Sequence, residues 1–324
     1  MSGQNTLIIA SDYNAIQSKI ATIMGSGSGT TGYGQTLASS QVGQYDKITV
    51  NQWNNLRDDI IRCRQHQTGV TIGSAAPEDV GYDATNNLPL PTVAKQVRES
   101  WRVAYSAMAA DCETNSLTAP PPASQATLEN LVDQQVRTTA WNGTVQQTVV
   151  VTWATADDAR HFFNTGGQIE FSSTRSGGSA GNKNVTWTTM LSNMGTIKFN
   201  YTGVTCTGTG NFLGDNGFMP EPGAPLSGIG TSDELIFQKS APAGDYTPNK
   251  YYIYARVNST SDRRILYLTI HWGDDSPAPP SFPDSGFGID ENVDGTLTSS
   301  VQVLRASGTN VSRPRPSASS TGIA

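Results

Sequence analysis

Apolar residues recur at helical spacing through roughly the first 142 positions and at every second position after that. In "SDYNAIQSKIATIM", Tyr13, Ile16, Ile20 and Ile23 make one stripe, with Ser11 or Asp12 placed as a cap. "TVNQWNNLRDDIIRC" opens on Thr49-x-x-Gln52, a capping-box pattern, and then puts Trp53, Leu56, Ile60 and Cys63 on one face. "PTVAKQVRESWRVAYSAM" has Pro91 in its first turn and repeats Val93, Val97, Trp101, Tyr105 and Met108. "SQATLENLVDQQVRTTAW" carries Leu128, Leu131, Val132 and Val136, read as a fourth helical stripe. Each of these helices is amphipathic and has to bury its stripe. The prolines at 120–122 stiffen a turn or short spacer between the last two.

From residue 143 the period is two. "TVQQTVVVTWA" aligns Val145, Gln147, Val149, Val151 and Trp153, with β-branched residues throughout. "GQIEFSS", "GTIKFNY", "DELIFQK", "KYYIYARVN", "RRILYLTIHW" and "LTSSVQVLR" are further strand candidates, and Ser259 to Asp262 reads as a plain hairpin turn. The fold class expected is α+β. A helical attachment or oligomerisation region (1–142) precedes a mainly antiparallel β-sandwich or jelly-roll-like domain (143–305). The Gly/Pro stretch from Thr207 to Gly230 reads as a surface excursion. The low-complexity end, 306–324, is expected to be disordered unless something outside the domain holds it. There is also an internal echo. "FNTGGQIEF" and "SNMGTIKF" both follow a short helix and place Glu170 and Lys198 at matching positions, so 168–173 and 196–201 are expected to be neighbouring strands.

Composition narrows the classes. Only 15% of the 324 residues are charged, with 32 glycines, a balance that suits an all-β surface or an assembly-bound protein better than a helical enzyme. A net charge of -6 offers no basic stripe to neutralise phosphates, so no nucleic-acid partner is expected. The three cysteines, Cys63, Cys112 and Cys206, form neither a disulfide framework nor a zinc-ligand spacing, and point to folding in a reducing compartment. "MSGQNTLIIA" lacks a basic n-region, so no signal peptide is expected, and no segment approaches the length needed to span a bilayer.

Candidate chemistry is sparse. "MGSGSGTTGYGQ" holds a literal G-x-G-x-x-G at Gly27, Gly29 and Gly32, but these glycines follow a helix where a dinucleotide loop would open one. Gly25 therefore reads as a helix C-cap and the remainder as a flexible loop. "GGSAG" at Gly177 to Gly181 matches a nucleophile elbow without the strand-to-helix context. His161 lies four residues after Asp157 on a short helix capped by Thr155-x-x-Asp158, an orientation for base and orienter that lacks a third member. Neighbouring carboxylates occur at Asp58-Asp59, Asp157-Asp158 and Asp274-Asp275, and a glycosidase would need such groups across a cleft. "DENVDG" offers Asp290, Asn292 and Asp294 as half of a calcium loop, although the twelfth position is Val301; an Asx-rich turn explains the same residues. Tyr252 and Tyr254 fall on the face opposite Tyr251 and Ile253, where they could stack on sugar rings or pack across strands or against another subunit.

"SDYNAIQSKIATIMGSGSGTTGYGQ", "ITVNQWNNLRDDIIRCRQHQTG" and above all "ADDARHFFNTGGQIEFSSTRSGGS…NVTWTTMLSNMGTIKF" resemble virion structural proteins of tailed bacteriophages, particularly those of cyanobacterial myoviruses. The resemblance spans most of residues 7–205 and is most specific at "ARHFFNTGG". It implies a non-enzymatic place in the particle (tail, baseplate or tail fibre), assembly in the host cytoplasm, and no resident cofactor. The partners it implies are copies of the chain in three-fold or six-fold symmetry and other virion proteins. A module recognising host surface glycan and a polysaccharide depolymerase are the alternatives.

Overall fold

The structure is a computed structural model, and it describes residues 10–46, 48–69, 71, 95–118, 126–201, 203–208, 226, 228–242, 246–276 and 292–324. It is an α+β fold whose N-terminal helices precede two antiparallel sheets. The chain forms two compact units, each assembled from separated segments. One comprises Met1–Thr127, Arg160–Gly166 and Arg305–Arg313; the other comprises Leu128–Ala159, Gly167–Leu304 and Pro314–Ala324. A linear division at 142 and 305 therefore misses that the helical unit recruits two later segments.

In the helical unit, α1 (Ala10–Met24) and α2 (Val50–Thr68) bury the expected stripes, and α3 (Lys95–Thr118) buries Tyr105 of its own stripe. Tyr13, Ile16, Ile20 and Ile23 meet Trp53, Leu56, Ile60 and Cys63, with Tyr105, Ala109 and Cys112 from α3. Trp53 is the hinge of this core: Tyr13 meets its edge at 5.6 Å and Tyr105 stacks on it at 5.4 Å. Thr49 and Gln52 form the full capping box of α2, worth about 1 kcal/mol, and Gly69 closes that helix in the left-handed conformation. Asp59 is buried yet satisfied, since the Ser39 hydroxyl and backbone N–H donate to it at 2.7 and 2.8 Å and fix the segment after α1 onto α2. Ser11 and Asp12 lie inside α1, which begins at Ala10, so neither is its cap. Pro91 and Val93, and the side chains of Val97 and Trp101, lie outside the described residues.

One helix expected from the sequence is a strand. Residues Ala126–Arg137 form β1, paired with the strand β9 (Thr296–Ala306). Positions 128, 132 and 136 are spaced by four, which fits a helical repeat and, being even, one face of a strand as well. Tertiary pairing decided between the two.

In the second unit, β3 (Gln168–Ser176), β4 (Ile197–Asn200) and β5 (Gly203–Cys206) complete a sheet of order β1-β9-β3-β4-β5. The other sheet runs β10-β2-β8-β7-β6, from β2 (Gly143–Thr152), β6 (Glu234–Ser240), β7 (Lys250–Val257), β8 (Ile265–Asp274) and β10 (Ser317–Ser320). Burial alternates residue by residue along β7 and β8, as in a sandwich with one dry and one wet face per sheet. Tyr251, Ile253, Leu268, Ile270 and Trp272 fill the dry face. The internal echo is a real neighbour relation: Ile169, Glu170 and Phe171 pair with Phe199, Lys198 and Ile197, and Glu170 meets Lys198 at 3.1 Å.

Two helices connect these strands, α4 (Ala156–Asn164) and α5 (Asn182–Met194). Thr155 caps α4, its hydroxyl taking the Asp158 N–H at 3.0 Å. From α5, Lys183 reaches Asp274 at 3.0 Å in a fully buried ion pair, and Ser276 donates to the second carboxylate oxygen. The C-terminal residues expected to be disordered are held by the chain itself. Val311 enters the helical core. Residues 317–320 pair with β2, and the backbone of Ala324 exchanges hydrogen bonds with Gln146.

Candidate functional site

The hairpin of β7 and β8 is closed by the Asn258 N–H bonding the Ile265 carbonyl, and that closure sets the register of everything above it. It places His271 opposite Tyr252, and Thr269 opposite Tyr254, on the half-exposed face. The three rings form one patch. His271 stacks on Tyr252 at 4.8 Å and 22°, while Tyr254 meets both rings edge-on at 5.5 and 5.3 Å. Further along the hairpin Arg256 lies over the Tyr267 ring at 3.8 Å and pairs with Asp233 at 3.3 Å. Partial burial holds the His271 pKa below its ordinary value, against the pull of Asp233. A neutral imidazole beside two phenols gives flat apolar faces together with hydroxyl and ring-nitrogen hydrogen-bonding groups. That combination suits stacking on a sugar ring, and it also suits cross-strand packing. Sequence reasoning named both tyrosines and gave His271 no part in the patch.

The calcium candidates fare differently. Asp290 lies outside the described residues and Asn292 is exposed. Asp294 is a structural hub. The Ser179 backbone N–H donates to both carboxylate oxygens at 3.1 Å, the Ser179 hydroxyl and the Asn184 amide add to one of them, and the Arg175 guanidinium lies at 3.2 Å. The Ser179 backbone bond, followed by these side chains, holds the Asp294 pKa below the usual carboxylate range. Its own backbone closes the link, donating to Asn184 and accepting from Arg175 at 2.7 Å. These donors take the lone pairs that a cation would use, and Arg175 sets a positive charge beside them. Among the described residues no group of three or more His, Cys, Asp or Glu is placed to hold a metal. The serine of "GGSAG" thus serves as an anchor for Asp294.

In the helical unit the glycine-rich loop is closed and specific, not a flexible spacer. Its ends are tied by Gly34 N–H to the Gly25 carbonyl and Gln35 N–H to the Met24 carbonyl. Gly27, Gly29, Gly32 and Gly34 all have positive φ, which leaves the loop's carbonyls directed at donors. Arg160 donates to Ser26 and Gly29, His161 Nε2 to Ser26 at 2.8 Å, Asn164 to Thr30 and Gly32, and Arg313 to Gly34. A phosphate-binding loop offers N–H groups; this one offers oxygens to guanidinium groups, the opposite polarity. The segment it grips, Arg160 to Thr165, lies within "ARHFFNTGG". His161 thereby clasps the loop at Ser26.

Fold and sites together define an antiparallel β-sandwich-like protein with a helical unit and an aromatic surface patch. Comparison with protein-family models, curated proteins and solved structures finds no match to this chain. No helix among the described residues is long and apolar enough to cross a membrane.

Proposed function

We propose that the chain is a non-enzymatic structural subunit of a bacteriophage virion, in the tail, baseplate or a tail fibre, docked through its N-terminal helices and working as a symmetric homo-oligomer. What supports this reading most is where the reactive side chains are used. Asp59 binds Ser39, Asp158 accepts from the capping Thr155 hydroxyl, Asp274 pairs with buried Lys183 and Asp294 ties Arg175 to Ser179. His161 holds the glycine-rich loop and His66 is wholly buried. Groups that an enzyme would present to a substrate are here fastening the fold. The native mass in solution, by light scattering behind a sizing column, tests it. A trimer or hexamer supports a fibre or tail-ring part, whereas a monomer that releases reducing sugar from host polysaccharide sinks it.

A second reading, a receptor-binding role, is favoured by one specific observation. Tyr252, Tyr254 and His271 form a contiguous half-exposed aromatic patch on the wet face of a sheet. Replacing both tyrosines by alanine should then abolish competition by the purified protein for adsorption to host cells. Undiminished competition by a folded double variant would remove the patch from the account.

A further inference from the structure

The helical unit brings two of the three cysteines together. Cys63 on α2 and Cys112 on α3 are both wholly shielded from solvent, and their side chains are in hydrogen-bond contact. The Cys112 sulfur also lies 4.0 Å from the carbonyl of Ile60, three residues before Cys63 and on the same helix face. It therefore sits against the turn that carries the Cys63 sulfur. Both thiols are free, and the remaining cysteine, Cys206, belongs to the other unit.

We infer that Cys63 and Cys112 are a latent disulfide, a modification site that a peroxide converts into a covalent link between α2 and α3. Burial, and after it the contact with Cys112, pushes the Cys63 thiol well above its ordinary value. Cys63 therefore keeps its proton and serves as the resolving thiol, and the attacking sulfur is that of Cys112 in its thiolate form. That thiolate attacks one peroxide oxygen, the O–O bond breaks, and hydroxide leaves with a proton as water, giving a sulfenic acid on Cys112. Cys63 then attacks the Cys112 sulfur, the S–O bond breaks, the S–S bond forms, and the Cys63 proton leaves with the departing oxygen as a second water. Two electrons pass from the sulfur pair to the peroxide. Hydrogen peroxide, small and neutral, suits a buried site that excludes bulkier oxidants. A chain folded in a reducing compartment keeps both thiols, and the link forms on exposure to oxidant. The inference rests on the helical unit alone and is independent of the virion reading.

The test uses the full chain with Cys206→Ala, so that only the pair remains. The folded protein is exposed to hydrogen peroxide, then unfolded in an alkylating reagent and weighed intact. The expected product has lost two hydrogens, takes up no alkyl group, and yields a peptide joining Cys63 to Cys112. Its unfolding constant should fall on the order of a thousandfold, the loop-closure figure for a bridge spanning about 50 residues, and return on reduction. Two alkylatable thiols after treatment, oxygen additions without a link, or covalent dimers overturn the inference. A link that leaves the unfolding midpoint unchanged or lower overturns its role as a lock. The same treatment of a Cys112→Ala, Cys206→Ala chain must give no loss of two hydrogens; if it does, the assignment to this pair fails.

Discussion

Acidification from pH 7 to pH 5 should destabilise the protein chiefly through His66. Its ring is wholly buried in the helical unit, edge-on to Tyr33 at 5.4 Å. Burial pulls its pKa down from the ordinary 6.5 to about 4, with the backbone of Thr165 acting weakly in the other direction. The folded state therefore refuses a proton that the unfolded chain accepts below pH 6.5. Stability from this group is complete above that value and is lost as pH falls toward 4. The whole window is worth about 3 kcal/mol, at about 1.4 kcal/mol per pKa unit, and about 2 kcal/mol of it is gone by pH 5. His66→Phe keeps a ring against Tyr33 and removes the titration. Urea unfolding followed by circular dichroism should give a wild-type stability that drops more steeply than the variant's between pH 7 and 5, the two slopes differing by about 2 kcal/mol over that range. The contributions of His161 and His271 cancel in that difference. Parallel slopes, or a wild type that gains stability as pH falls, would refute the argument.

Three further outcomes follow from the geometry. Lys183→Met strands the Asp274 carboxylate in the core and should cost about 3–5 kcal/mol, while the double variant Lys183→Met, Asp274→Leu should recover most of it; urea titration of both decides. Asp294→Ala removes the acceptor shared by Ser179, Asn184 and Arg175, so it should lower the melting temperature, whereas EDTA or added calcium should leave the parent protein's unchanged. An EDTA-induced drop would mean that the loop at 290–294 holds a cation after all. Gly34→Ala forces a side chain into backbone at φ 63° and drives its Cβ into the Arg313 guanidinium and the His161 ring. It should cost about 2 kcal/mol, and Gly29→Ala, at similar φ but facing open space, should cost less.

What the sequence disclosed and withheld divides by the range of the interaction. Thr49-x-x-Gln52, the Trp53 stripe and the alternation of β7 and β8 are local patterns, and each element stands where they put it. Even the pairing of Glu170 with Lys198 was readable, because two similar segments carried the same phase. The register that sets His271 on Tyr252 was implicit in the hairpin turn, since fixing Asn258 against Ile265 dictates the rest. Strand β1 misled because a repeat of four serves both periods. The hub at Asp294, the Lys183–Asp274 pair and the Cys63–Cys112 contact join elements distant in the chain, and no local period encodes them. The glycine-rich loop misled differently. Composition gave its flexibility when unfolded, while its partners Arg160, Asn164 and Arg313 lie far along the chain.

The same non-local wiring argues against an autonomous helical region. A fragment ending at residue 142 keeps α1, α2 and α3 but lacks Ala306 and Val311, both buried in the helical core. It also lacks Arg160, His161, Asn164 and Arg313, whose donors satisfy the carbonyls of the glycine-rich loop. Losing Val311 alone removes about 1.5–3 kcal/mol of apolar burial, and each lost loop hydrogen bond removes about 0.5–1.5 kcal/mol more. Set against the 5–15 kcal/mol by which a domain is ordinarily stable, these losses are enough to unfold it. Fragment 1–142 should therefore show helical circular dichroism without a cooperative melt, with amide exchange far faster than in the full chain. Adding residues 143–324 in trans should restore protection only where a complex forms. A fragment that melts cooperatively near the parent's midpoint would mean that the later segments decorate a helical core already complete without them.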